Sequence, residues 1–275
     1  MKVLVNYAND KYIKAQRLNT WFGKYIAKVD KVYSFGPNDI DDDYKIAHGN
    51  ILNVPRGNGL WLWKPYFINK VLDDCADGDY LFYVDSGAFF IKNVNKMIES
   101  FRENESIWVS DNPTIESCFT KPKCFEILGC SGSKFLDTNQ IQATYLCIRC
   151  CPKSRAFIKE WLHLCENEEL IAPEGNLNVV ECRDNSFVAH REDQSILSLL
   201  CKMKGIVPHR DPSQRGIFPE TFYSDKYRYS VPKHDDKYGI LIFLHKKPKL
   251  TIPLFVRVIV STLRAVIKVK RKENV

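Results

Sequence analysis

The 275-residue chain has no uninterrupted apolar run of the roughly 20 residues that a membrane-spanning helix requires. Its most aliphatic stretch, 252–269, is broken by Arg257 and Arg264, which excludes a spanning helix there. There is no internal repeat, which excludes a repeat architecture, and no low-complexity linker marks a domain boundary. Met1-Lys2-Val3-Leu4-Val5 leads straight into polar Asn6, Asn9 and Asp10, without the longer apolar run and small-residue cleavage site of a secretory leader. A cytoplasmic protein with reduced thiols is therefore expected. Cys147, Cys150 and Cys151 cluster, but no second Cys-x-x-Cys or histidine pair completes a zinc site, so ordinary thiols are expected. Basic residues are not interleaved with aromatics along a recognisable motif, which argues against a nucleic-acid partner.

What is present points to a large folded core. Hydrophobic residues make up 45% and charged residues 27%, the balance of a globular protein. One large α/β domain, or two smaller ones, fits the length. The formal net charge of +7 suits nucleic acid, an anionic membrane or a phosphate-bearing substrate. Much of the excess lies in Lys268, Lys270, Arg271 and Lys272, so it forms a local patch.

Strand and helix patterns alternate along the first half. Lys2–Tyr7 reads as a strand, 10–29 as a helix, Lys31–Phe35 as a strand and the Asp-rich stretch after Asn38 as a loop. Leu60–Leu72 reads as a helix following the turn Arg56-Gly57-Asn58-Gly59. Tyr80–Val84 is an unbroken apolar run, the pattern of a strand covered on both faces. Val94–Arg102 reads as a short helix and Ile107–Ser110 as a strand. Gln142–Arg149 follows as a strand, then helices from Pro152 to about Glu166 and from Glu192 to Lys204, and a last strand at Gly239–Leu244. Residues 208–238 read as irregular. This order predicts a mostly parallel central sheet with helices on both faces. A nucleotide-binding half of about 1–115 would join an acceptor half of about 116–250, with a basic amphipathic helix over 251–275.

Asp85 is the most informative position. It stands at the carboxyl end of a buried strand, where open α/β sheets bind ligands. Small Ser86 and Gly87 follow it and allow close approach of a ligand to the backbone. A carboxylate there can bind a divalent cation shared with a diphosphate, or it can simply start a turn.

The wider context carries a resemblance. Arg56-Gly57-Asn58-Gly59-Leu60-Trp61-Leu62-Trp63-Lys64-Pro65-Tyr66, followed by Gly78-Asp79-Tyr80-Leu81-Phe82-Tyr83-Val84-Asp85-Ser86-Gly87, resembles glycosyltransferases of GT-A type that assemble bacterial and viral polysaccharides and glycans. In that family an Asp-x-Asp motif at the strand end holds Mn²⁺ or Mg²⁺ and the nucleotide diphosphate; here Gly87 replaces the second Asp. Asp193-Gln194 before an apolar helix is similar to a motif of retaining, glycogenin-like enzymes, where the polar pair faces the donor sugar. The resemblance makes Glu192, Asp193 and Gln194 candidate catalytic residues, although acidic groups also suit a helix start. Leu244-His245-Lys246-Lys247-Pro248 is similar to the family's late metal-binding His element, but shorter and without its Gly. His245 is thus a candidate second metal ligand beside Asp85.

Arg56 and Lys64 are candidate donor-phosphate partners. Gln142, within Ile141-Gln142-Ala143-Thr144-Tyr145, resembles the strand that presents polar groups to the sugar. With Asp85, Ser86 and Gly87 these complete the expected donor site. The tail, written as a helix, lines up Arg257, Arg264, Lys268 and Arg271 beside an aliphatic face, the pattern of a helix lying in an anionic membrane interface. The expectation is a cytoplasmic glycosyltransferase, peripheral at the inner face of a membrane. It would move a sugar from a nucleoside-diphosphate sugar to a hydroxyl of a glycan or lipid-linked acceptor. The rival is a non-catalytic membrane-associated binding protein with a degenerate fold of the same type.

Overall fold

The computed structural model describes residues 1–173, 187–217, 219 and 234–273, with side chains in the last helix described as far as 264 and at 267. Much of the stretch expected to be irregular, and the side chains of Lys268 and Arg271, lie outside the described residues.

Seven strands among the described residues form two sheets. They are β1 (Lys2–Tyr7), β2 (Lys31–Phe35), β3 (Tyr80–Val84), β4 (Ala88–Phe90), β5 (Ile107–Ile115), β6 (Asn139–Arg149) and β7 (Ile242–Leu244). The main sheet has the order β2-β1-β3-β6-β5, and β4 pairs with β7 in a small second sheet. β1 runs parallel to β2 and β3, while β6 is antiparallel to both β3 and β5, so β6 alone opposes the common direction. The mostly parallel sheet expected from the sequence is present. Because β6 sits between β3 and β5, the two expected halves share one sheet.

The long helices are α1 (Ile13–Phe22), α2 (Trp63–Asp73), α3 (Pro152–Cys165), α4 (Glu192–Met203) and α5 (Ile252–Glu273). Side chains alternate across β1 and β3. Val3, Val5, Leu81 and Tyr83 face the core that includes residues of α2, α3 and α4; Leu4, Phe82 and Val84 face a second core with Ala88, Phe90, Ile242 and Leu244. That double burial is why Leu81–Val84 is apolar at every position.

Three differences from the sequence reading have local causes. The first helix stops at Phe22 and continues only as a wide turn, Gly23–Ala27, closed by Lys28 in the left-handed region. A Cβ on Gly23 would lie 2.3 Å from Leu4 Cδ2, so the chain crosses β1 there with no room for a side chain. The helix expected from Leu60 begins instead at Trp63, because residues 57–61 all have positive φ. Asp42–Ala47 is a short helix where a loop was expected.

No described helix is long and apolar enough to cross a membrane. α5 is nonetheless the least covered element. Ile252, Phe255, Val256, Ile259, Val260, Leu263 and Ile267 are all exposed, and their spacing puts them on one face.

Candidate active site

A cavity of about 600 Å³ opens at the carboxyl ends of β1 and β3. Its lining brings together Arg56, Lys64, Asp85, Ser86 and Gly87 with Glu192, Asp193 and Gln194, two groups more than 100 residues apart in sequence. Gln142 and His245 are not in the lining. Gln142 is buried between β6 and β5, where its Nε2 donates to Ser110 Oγ at 3.0 Å; Thr144 is the β6 residue that reaches the cavity.

Lys64 lies between two carboxylates. Its ammonium is 2.8 Å from Asp193 Oδ2 and 3.6 Å from Asp85 Oδ1, and it also donates to Ala143 O at 3.2 Å. The first turn of α2 brings Lys64, and the first turn of α4 brings Asp193. Burial raises the Asp193 carboxyl to about 7 although Lys64 opposes the shift. Burial alone would push the Lys64 ammonium down; Asp193 and Asp85 outweigh it and hold Lys64 above its ordinary value. Asp85 is more open to the cavity and accepts a 2.6 Å hydrogen bond from Tyr83 Oη.

Glu192 is buried and ion-paired with Arg56 across the cavity lining. Burial raises its carboxyl, with Arg56 opposing. Its φ of 43° is left-handed, a conformation that costs a non-glycine residue on the order of 1–3 kcal/mol. On the facing segment Asn58, Leu60 and Trp61 are also left-handed non-glycine residues. Backbone strain therefore gathers on both sides of this cavity. Gln194 is held in place: its Oε1 accepts from Ala143 N at 3.3 Å and its Nε2 donates to Gln140 Oε1 at 2.7 Å.

Ser86 donates to Tyr7 O at 2.6 Å, so its hydroxyl ties β3 to β1. Gly87 is covered by the chain after β7. Its carbonyl accepts from both His245 N and Lys246 N at 2.9 Å, and a Cβ at 87 would lie 3.1 Å from Lys246 Cα. The position that holds a second carboxylate in the Asp-x-Asp pattern therefore has little room for one here.

That geometry bears on the expected metal. Asp85 is the one carboxylate of the expected pair in the lining, and it already has Tyr83 Oη and Lys64 beside it. His245 is buried next to the cavity with its Nε2 unpartnered among the described residues, but its Nδ1 accepts from Lys247 N at 3.3 Å. Neutral imidazole with an accepting Nδ1 carries its proton on Nε2, which makes that atom a donor and not a ligand. Burial lowers this ring to about 4, so it is neutral. No group of three or more His, Cys, Asp or Glu among the described residues is placed to hold a metal. The described residues do not fit a protein-built Mn²⁺ or Mg²⁺ cage.

The sequence reading missed several lining residues, among them Asn9, Tyr12, Asn58, Arg191 and Lys246. Lys246 opens to the cavity. Surrounding protein atoms, then Arg215 and Arg191, push its ammonium down to about 8. Lys246 sits in the quoted His245-Lys246-Lys247-Pro248 element, so its signal was present but attached to the histidine. Asn58 has no motif; its amide donates to Tyr7 Oη, and the Tyr7 ring stacks on Trp63 with centroids 3.8 Å apart. Trp63 is thus core packing and cavity wall together.

Comparison with known proteins agrees with this architecture. No protein-family model and no curated protein matches the sequence. Among solved structures, mouse xyloside xylosyltransferase 1 in its apo form superposes with a TM-score of 0.50 at 8% identity, over 91% of this chain and 100% of that one. The galactosyltransferase LgtC, in complex with donor and acceptor sugar analogues, gives 0.46 at 13% identity, over 90% and 88%. The apo glycosyltransferase GlyE of Streptococcus pneumoniae gives 0.45 at 14%, over 98% and 63%. At these identities the likeness shows the fold alone: an α/β fold of the GT-A glycosyltransferase type.

Proposed function

We propose that this chain transfers a glycosyl unit from a nucleoside-diphosphate sugar to a hydroxyl of a glycan acceptor. One observation carries the reading. Within a single cavity at the strand ends, a buried carboxylate, Asp193, stands 2.8 Å from Lys64 and shares the lining with cations contributed by several separate segments. Departure of a diphosphate needs positive charge where negative charge develops, and fixed cations in a partly desolvated pocket supply it without reorganisation. Lys246 and Arg191 take that role, with Lys64 fixing the Asp193 and Asp85 carboxylates. Arg56 is committed to Glu192, so its part is to hold the first turn of α4.

Asp193 meets the reacting sugar. In an inverting transfer it accepts the proton of the acceptor hydroxyl; in a retaining one it stabilises positive charge on the donor ring. Gln194 and Gln140 hold the polar floor behind it. No step here passes through a metal, since the described residues do not build its site.

The acceptor is a glycan, lipid-linked at the inner face of a membrane. The support for the membrane is α5, whose apolar face is uncovered by the rest of the described protein and whose flanking residues are basic. A helix of that pattern lies in the headgroup layer. A second reading, a non-catalytic binding protein, is favoured by Gly87, where the Asp-x-Asp pattern loses a carboxylate. Hydrolysis of a panel of sugar nucleotides by the wild type and by Asp85→Asn, each in EDTA and in Mn²⁺, separates the readings. Turnover in EDTA is expected, reduced in Asp85→Asn because Lys64 loses one of the two carboxylates that position it beside Asp193. Activity only with Mn²⁺ would bring back a cation shared by Asp85 and the diphosphate, and no turnover of any donor would favour the binding protein.

A further inference from the structure

Trp21 is 50% exposed and Tyr25 48% exposed, whereas Trp63, Trp108 and Trp161 are buried. Neither residue lines the cavity. The two rings lie 5.2 Å apart, Trp21 at the end of α1 and Tyr25 in the wide turn that follows it, with Lys24 Nζ 5.5 Å from the Tyr25 ring. The exposed pair leaves the apolar area of two large rings in water, area that a covering surface would bury.

The rings place this pair relative to α5. Trp21 packs edge-on against Phe22 (5.0 Å), Phe22 against Phe89 (4.2 Å), Phe89 against Phe243 (5.3 Å) and Phe243 against Phe255 of α5 (5.4 Å). Four short ring-to-ring steps thus join the exposed pair to the foot of the uncovered helix. Charge agrees with the geometry. The α1 segment contributes exposed Lys14, Arg17, Lys24 and Lys28, with no acidic residue between Ile13 and Lys28. α5 carries Arg257, Arg264, Lys268, Lys270, Arg271 and Lys272 against the single acid Glu273. The chain has 33 acidic residues, so two segments with one between them are not typical of its surface.

We infer that the Trp21–Tyr25 pair and α5 form one bilayer-facing surface, with both rings seated at the headgroup level of an anionic membrane. The inference rests on the reading of α5 as an interfacial helix and extends it to a second, separate contact. Aromatic rings with a polar edge favour the interface of a bilayer, and lysines beside them meet anionic headgroups. Two anchors fix the protein's orientation, which a lone terminal helix cannot do. They would hold the cavity at a constant height above the membrane, since His245 and Lys246 at its edge lie a few residues before α5.

Trp21 offers its own reporter. The full chain is mixed with vesicles of phosphatidylcholine and phosphatidylglycerol, with and without brominated acyl chains, and tryptophan fluorescence and flotation are read together. Brominated lipid is expected to quench part of the emission, and Trp21→Phe should abolish that quenching. Trp21→Ala/Tyr25→Ala should weaken flotation about tenfold with α5 intact, because interfacial binding scales with apolar area inserted. An unchanged thermal transition in the double variant will show that the loss is not unfolding. Flotation without quenching would overturn the two-anchor surface and leave α5 as the anchor. Failure of the full chain to float at all would overturn both. Equal binding to vesicles of phosphatidylcholine alone would overturn the role given to the lysines. Protection of Trp21 by self-association, seen in sedimentation without lipid, would assign the surface to a second copy.

Discussion

Two buried lysine–carboxylate pairs, each drawing one residue from α4, are built from the same chemistry and arranged to opposite ends. Glu116 is fully buried, and both of its oxygens are occupied. Oε1 accepts from Thr120 Oγ1 and from Gln140 Nε2; Oε2 accepts from Lys202 Nζ at 2.5 Å and from Ser198 Oγ. Asp193 is nearly as buried, yet its Oδ2 has Lys64 at 2.8 Å and no hydrogen bond besides among the described residues. The Glu116 oxygens are fully partnered in relaxed backbone, and Gln140 links them to Gln194 behind Asp193. The Asp193 pair opens on a cavity and follows a left-handed Glu192. A buried charge that is fully satisfied belongs to the scaffold, whereas one left with spare capacity and surrounded by strain marks a place kept for a ligand.

Replacement of Asp193 by Asn tests that contrast most severely. It should lower kcat per folded molecule by about 10²- to 10⁴-fold, the usual worth of a positioned proton acceptor. Stability should fall too, since buried Lys64 loses its nearer carboxylate and keeps Asp85 at 3.6 Å. Near-normal turnover would move the chemistry away from α4.

Glu116→Ala should do the reverse. Breaking a buried pair leaves Lys202 without its partner and costs about 3–5 kcal/mol of stability, read as a shift in the denaturant midpoint. Activity per folded molecule should fall far less than in Asp193→Asn, because Glu116 reaches the site only through Gln140 and Gln194; an equal loss would merge the two networks.

Gly87→Ala probes the covered strand end. A methyl group 3.1 Å from Lys246 Cα forces the Lys246 segment to shift, at about 1–3 kcal/mol. If Lys246 serves the diphosphate, KM for the donor should rise as well. An unaffected KM would remove Lys246 from that role.

The pH profile sharpens the same contrast at the smallest scale. Asp193 must be ionised to take a proton, and its carboxyl is raised to about 7. The log of kcat/KM should therefore climb with pH through about 7 and level off above it. Asp193→Asn should flatten that limb, while Glu116→Ala should leave it in place.

Most of the site was legible because its residues are short-range signals. Asp85 follows an apolar run whose length and flanks define a doubly covered strand, and Lys64, Asp193 and Gln194 lie within patterned segments. The metal expectation rested on the strand end and on the family resemblance, and two tertiary contacts bear on it. Whether His245 can ligate depends on the Lys247 N–H at its Nδ1, and whether position 87 can hold a carboxylate depends on the Lys246 backbone above it. Gln142 misled for a related reason: the pairing of β6 with β5 shifts register between Trp108 and Ser110, so the face presented by each β6 residue cannot be counted along the strand.

The amino-acid sequence by itself determined the alternating strands and helices, the doubly buried β3 and the amphipathic tail, since these follow from periodicity and local composition. Only the tertiary structure decided that Lys64 stands between Asp85 and Asp193, that Arg56 pairs with Glu192, and that the Lys246 backbone covers Gly87. Each of those facts joins segments far apart in the chain. Their partners are selected by sheet order and helix packing, which no local pattern encodes.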